Sequence, residues 1–436
     1  MSKRKPSNLK PSTIKHSVRS LPGPEDIHRK VLPNGITVLC RANFNSPSVS
    51  INGYVNAGSL TDPDEKLGLA DFTASALMRG TEKHNFDSLY NELESVGASL
   101  GFDAGVHTTG FHGRALVEDL TLLLDLLSET LCRPVFPDDE VEKLRHQLLT
   151  GLAIRAQDTS DMANLTFDEI LFHGHPYSRP EDGFPETIQA ITRQDLTEYH
   201  RKSFAPRGMV IAVVGAVEPK KAMDAIGRVL GDWENPNQVE PPSMPELKRL
   251  DETVKRHVKI EGKSQADLII GTNGPRRTDE DYLAAALGNS ILGQFGMGGR
   301  IGDAVREKAG LAYYAYSGLS AGIGPGSWSA NAGVNPTNVN KATDLIVKEL
   351  KRFIKGGVTQ EELSDSQANF IGRLPLSLES NGGVAGALIN IERYSLGLDY
   401  YRRYADLVKS ITRSDVLDVA RKYIDPDRLA IAIAGS

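Results

Sequence analysis

The chain has 436 residues, of which 40% are apolar, 24% charged and 6% aromatic. That is too long for one ordinary core, too apolar for disorder, and without any apolar run long enough to span a membrane. A net charge of −6 supplies no basic field for a phosphate backbone, and two cysteines (Cys40, Cys132) outside any C-x-x-C fit a reducing compartment. The expectation is a cytoplasmic protein with neither nucleic acid nor membrane as a partner.

Residues 1–27 read as a flexible basic leader: six cations and no acid fall within residues 1–24, leaving 44 bases against 56 acids over residues 25–436. Pro6, Pro11, Pro22 and Pro24 break the amphipathic helix a mitochondrial address needs, and no apolar core of a secretory signal is present. VLPNGITVL (31–39) predicts a hairpin turning at Pro-Asn-Gly, and a strand at 48–55 and a helix at about 67–79 follow. A helix at 87–96, strands near 98–115 and two longer helices (118–132, 138–157) complete the order.

Residues 191–215 and 411–435 are a repeat at an offset of 220, with 10 of 25 positions identical and no gap. Each copy reads as a Thr-capped helix, a Pro-containing turn and an apolar strand. Asn56 and Thr61-Asp62 are echoed by Asn273 and Thr278-Asp279 at an offset of 217, so both halves also open alike. Pro236, Pro241, Pro242 and Pro245 mark an extended linker at 236–250. The expectation is two homologous α+β domains, 28–235 and 251–436, each a mainly antiparallel sheet with helices packed on one face.

GLADFTASALMRGT (68–81), LESVGASLGFDAG (93–105), LLLDLLSETLCRPVFPDDEVEKLRHQLL (122–149), HPYSRPEDGFPETI (175–188) and VREKAGLAYYAYS (305–317) resemble the pitrilysin and insulinase family of zinc metallopeptidases. The likeness is greatest to its short subunits, related to mitochondrial processing peptidase and to respiratory core proteins. The resemblance implies a zinc site on the helix at 67–79, where H-x-x-E-H would set two imidazoles a turn apart beside a general base. The chain reads Asp71, Ala74 and Ser75 at those positions, and GLAIRA near residue 152, where a distal glutamate is due. The motif is degenerate, and no metal is expected on this chain. His107, His112, His173 and His175 have no further ligand set in the sequence and read as loop or strand histidines.

Arg306 and Tyr313 stand seven residues apart, the first at the end of a helix closed by Gly310 and the second on the following strand. In the resembling peptidases an Arg and a Tyr at this spacing meet the substrate opposite the zinc, a role that suits a guanidinium fork and a phenolic donor. Read without the resemblance, Arg306 would be a helix-terminal cation and Tyr313 strand packing. The cluster GQFGMGGRIG (293–302) lacks both the P-loop and the dinucleotide spacing. Phe295, Gly296, Gly298 and Gly299 are instead expected to line peptide substrate, as the glycine-rich loop of noncatalytic processing-peptidase subunits does, or else to form a plain turn before a helix at 300–308. The resemblance thus implies a noncatalytic subunit of a heterodimeric zinc peptidase, with zinc on a homologous partner carrying H-x-x-E-H and an unfolded peptide as substrate. The alternative is a structural or peptide-holding core-type subunit with no part in catalysis.

Overall fold

The structure, a computed structural model, describes residues 21–240, 242–294 and 299–436. Its first half holds a six-stranded sheet of β1 (His28–Val31), β2 (Thr37–Ala42), β3 (Ser48–Val55), β4 (Ser99–Ala104), β5 (Thr109–Leu116) and β6 (Val210–Gly215), in the order β1-β2-β6-β3-β5-β4. The helices of this half are α1 (Leu69–Ala76), α2 (Phe86–Ser95), α3 (Leu120–Cys132), α4 (Asp138–Arg155), α5 (Thr159–Leu171), α6 (Pro185–Ala190), α7 (Arg193–Ser203) and α8 (Pro219–Leu230). No helix or strand forms between residues 231 and 253 among the described residues.

The second half repeats the plan with five strands: β7 (Val254–Lys259), β8 (Ala266–Asn273), β9 (Ala312–Leu319), β10 (Ser327–Val334) and β11 (Ala430–Gly435), ordered β7-β11-β8-β10-β9. Each sheet has one parallel pair, β2 with β6 and β7 with β11, and is otherwise antiparallel. The helices are α9 (Tyr282–Asn289), the single turn α10 (Arg300–Gly302), α11 (Val339–Gly356), α12 (Gln360–Ser377), α13 (Asn381–Arg393), α14 (Tyr400–Ser410) and α15 (Arg413–Tyr423). The repeat seen in the sequence is a repeat of structure. α7–β6 and α15–β11 hold matching positions, and the reciprocal capping boxes Thr192/Asp195 and Thr412/Asp415 start the two helices.

Each half buries its own core between one sheet face and its helices, around Phe72, Leu123, Leu127 and Val213 in the first and Leu287, Ile346, Phe353 and Ile433 in the second. The other face of each sheet is covered by a helix from the opposite half. Val384, Ala385, Leu388 and Ile391 of α13 pack on Leu39, Val210, Ala212 and Val214, while Ala163, Phe167 and Ile170 of α5 pack on Ile269, Ala430, Ala432 and Ala434. This exchange is why β6, β8 and β11 are buried along their whole length.

Residues 21–27, placed in the flexible leader by the sequence reading, are packed. Ile27 is buried, Arg402 donates to the Leu21 carbonyl and pairs with Glu25, and Gly23 N donates to Asp26 Oδ1 at 2.8 Å. Among the described residues no helix is long and apolar enough to cross a membrane.

Candidate functional site

α1 starts where Asp62, 2% exposed, accepts from the backbone N–H groups of Gly68 (3.1 Å) and Ala70 (3.2 Å), satisfying donors left open at a helix start. Gly68 sits at φ +93°, a left-handed conformation that a side chain would strain. On the helix so fixed, Asp71 and Ser75 lie one turn apart, Ala74 is buried, and Leu152 of α4 is buried as well. The donors do not fit zinc. No imidazole is present at the motif positions, one of them is a methyl group, and the distal position is aliphatic, whereas zinc needs three or four N, S or O donors closing on one point. Among the described residues, no group of three or more His, Cys, Asp or Glu side chains is placed to hold a metal ion.

Carboxylates gather at this place instead. Burial, with Asp182 and Asp103 nearby, pushes Asp71 up to about 6. Burial and then the neighbouring Asp71 and Asp182 raise Glu181, and burial together with Glu181 pushes Asp168 of α5 up to about 7. The sequence reading missed this cluster because Asp71 and Asp103 stand far along the chain from Asp168, Glu181 and Asp182, and only the fold brings them together. Three of the four histidines singled out in the sequence find ordinary partners: His107 Nε2 lies 2.6 Å from Tyr177 Oη, His175 Nδ1 accepts from Tyr177 N at 3.2 Å, and His112 lies 3.3 Å from Asp103. Burial lowers both His107 and His175, which disfavours the charged form of these rings.

Arg306 lies in a π-helical turn (Asp303–Lys308) following α10, its side chain about one third exposed and its Nε 3.8 Å from Glu307 Oε1. Gly310, at φ +61°, ends the turn with its N–H on the Arg306 carbonyl at 3.0 Å, and β9 begins two residues later. β9 is the outer strand of its sheet. Ala312 pairs with Val334 and Tyr314 with Gly333, so Tyr313 between them is the extra residue of a β-bulge. It is 83% exposed, the most solvent-facing of the large apolar side chains among the described residues. Bulges re-aim side chains at strand edges, and the sequence carries no sign of this one. Gly299 is buried, and a Cβ there would come within 2.3 Å of Gly293 Cα, so the two backbones touch. Phe295, Gly296 and Gly298 lie outside the described residues.

Residues 37–180 match the model of "Insulinase (Peptidase family M16)" and residues 190–370 that of "Peptidase M16 inactive domain". The chain belongs to peptidase family M16. It is 26% identical over 405 residues to an uncharacterized zinc protease of Streptomyces coelicolor, covering 91% of this chain and 86% of that one. It is 25% identical over 375 residues to the mitochondrial-processing peptidase subunit beta of Saccharomyces cerevisiae, covering 81% and 79%. The crystal structure of a peptidase M16 inactive domain from Pseudomonas fluorescens superposes with a TM-score of 0.88 at 26% identity, covering 94% of this chain and 98% of that one. The two duplicated α+β halves are thus those of the M16 fold.

Proposed function

We propose that this M16 chain is the noncatalytic subunit of a two-chain zinc peptidase. Arg306 and Tyr313 act on a peptide held at the zinc of a homologous partner that carries H-x-x-E-H. The observation that carries this reading is the pairing of a helix stripped of metal donors (Asp71, Ala74, Ser75) with a tyrosine thrust into solvent by a bulge. A strand-packing tyrosine would be buried; one that reaches another molecule must stand out.

The peptide lies as an added strand on an open sheet edge, such as β4 or β9, which are the terminal strands of their sheets. Arg306 grips a peptide carbonyl or carboxylate, and the Tyr313 hydroxyl donates to the oxygen on which negative charge develops as the peptide carbonyl is attacked. Hydrolysis is then a property of the pair, and the heterodimer is the active species.

Reconstitution with a zinc-bearing M16 partner tests the reading by steady-state kinetics. Tyr313→Phe should lower kcat by about 10²–10³ with assembly unchanged. Arg306→Ala should raise KM at least as much as it lowers kcat. A partner that reaches full turnover by itself, or a Tyr313→Phe pair indistinguishable from wild type, leaves this chain a holding subunit with no part in catalysis.

A further inference from the structure

The helices that frame the degenerate metal position recur in the second half. α12 matches α4 at 18 residues and α13 matches α5 at 13, both at an offset of 222. The counterpart of that acidic place is an open cavity of about 720 Å³ lined by α9, α12, α13 and α14. Its chemistry is reversed. Where the first half has Gly151 the second has Arg373, and where the first has the carboxylate of Asp168 the second has the neutral amide of Asn390.

Arg277 is the second cation of this cavity. Its guanidinium lies 4.1 Å from the ring centre of Tyr282 and 5.6 Å from that of Tyr400, and it donates to Tyr400 Oη at 3.0 Å. That is its one side-chain hydrogen bond among the described residues, which leaves further donors for a ligand, and the stacked rings hold the fork in one orientation. Arg373, exposed at the rim, has no hydrogen bond or ion pair among the described residues. None of the 14 lining residues is acidic. Burial raises the Tyr282 and Tyr404 phenols and pushes Tyr401 up to about 12, so they remain neutral donors at physiological pH. Phe370, Leu374 and Leu376 supply an apolar wall. Two cations without a counter-ion, neutral hydroxyl donors and an apolar wall, in a space of the size that encloses small molecules, form a site for an anion bearing an apolar group.

We propose that this cavity binds a small organic carboxylate with an aromatic or branched apolar side chain, with Arg277 and Arg373 on the carboxylate and the Tyr and Leu surfaces around the side chain. A free carboxylic acid and the C-terminal residue of a peptide share this chemistry. The site is independent of Arg306 and Tyr313 and needs no partner chain.

Isothermal titration calorimetry of the full chain with N-acetyl-phenylalanine, its amide, N-acetyl-phenylalanyl-phenylalanine and inorganic phosphate tests it. One-to-one binding of N-acetyl-phenylalanine is expected, with the amide and Arg373→Gln each weakening it by about 10- to 100-fold. Arg373 is exposed and unpaired, so this variant should keep the wild-type melting temperature. Arg277→Lys keeps the charge but loses the planar stack, and should weaken binding too. The peptide binding more tightly than the single residue would make the source a chain terminus, and the reverse a free acid; either supports the site. Equal affinity for acid and amide, wild-type affinity in Arg373→Gln, phosphate binding as well as the carboxylate, or no binding of N-acetyl-phenylalanine at millimolar concentration would each overturn the proposal.

Discussion

Thr159, the first residue of α5, donates its hydroxyl to Asp267 Oδ2 on β8 of the opposite half. Asp267 is 2% exposed, and its other oxygen accepts from Tyr314 Oη, with Gln265 Nε2 3.2 Å from both oxygens. A buried carboxylate is tolerable only when its lone pairs are filled, and here the donors come from β9, from the residue just before β8 and from the exchanged helix.

Asp267→Ala should therefore cost about 2–4 kcal/mol, because three donors lose one acceptor in a dry place. Thr159→Val should cost about 1 kcal/mol. The double variant should fall short of the sum, since the Thr159 hydroxyl has nothing to lose once Asp267 is gone. Urea denaturation measures all three; an Asp267→Ala loss below 1 kcal/mol, or full additivity, contradicts the network.

Gly333 lies beneath the Tyr314 ring on its way to Asp267: a Cβ there would come within 2.5 Å of Tyr314 Cε1 and 2.7 Å of Gln265 Nε2. Gly333→Ala should displace both donors and cost about 1–3 kcal/mol. The loss should shrink in a Tyr314→Phe background, where the hydrogen bond is already absent. Thermal melts of the four proteins decide it.

Asp168 provides a pH test. Its folded value of about 7 stands above the ordinary 3.8, so the folded state holds the proton more tightly than the unfolded chain does. Stability then falls as pH rises from about 4 towards 7, and the penalty is complete above 7. Asp168→Asn should stabilise the chain by on the order of 1–2 kcal/mol at pH 8 and change little near pH 4. A variant equal to wild type at pH 8 would show that water reaches this carboxylate freely.

Zinc should not accompany the purified chain in stoichiometric amount. Replacing Asp71 and Ser75 by histidine and Ala74 by glutamate should create only a weak site, because Leu152 still offers an aliphatic side chain at the distal position. Elemental analysis after gel filtration reads both proteins, and one tightly held zinc in the unaltered chain would refute the reading of α1.

Much of the local order is legible in the sequence because it depends on neighbours in the chain. The Thr192/Asp195 and Thr412/Asp415 boxes, the Pro-Asn-Gly turn and the Gly310 stop all act within a few residues, and the repeat at an offset of 220 carries the capping box into both halves. The helix expected at 67–79 forms as an α-helix only over Leu69–Ala76, since Gly68 turns left-handed and the last turn, Leu77–Arg79, tightens to a 3₁₀ helix. The family resemblance singled out Arg306 and Tyr313 as candidates, yet the bulge that exposes Tyr313 depends on the register of β10, more than ten residues further along. The helix exchange was hidden for a similar reason. Periodicity shows that α5 and α13 bury a face but not which sheet receives it. The one available sign was the uninterrupted apolar run of β6 and β11, which asks for cover on both sides.

That exchange changes what the segment between residues 231 and 253 does. Each half carries a structural piece on loan from the other, so the connecting chain is a tether and not the fastening. Nicking it should leave the two fragments bound to each other through α5 and α13. The halves cannot swing apart like a hinged shell without stripping apolar surface from both sheets at once.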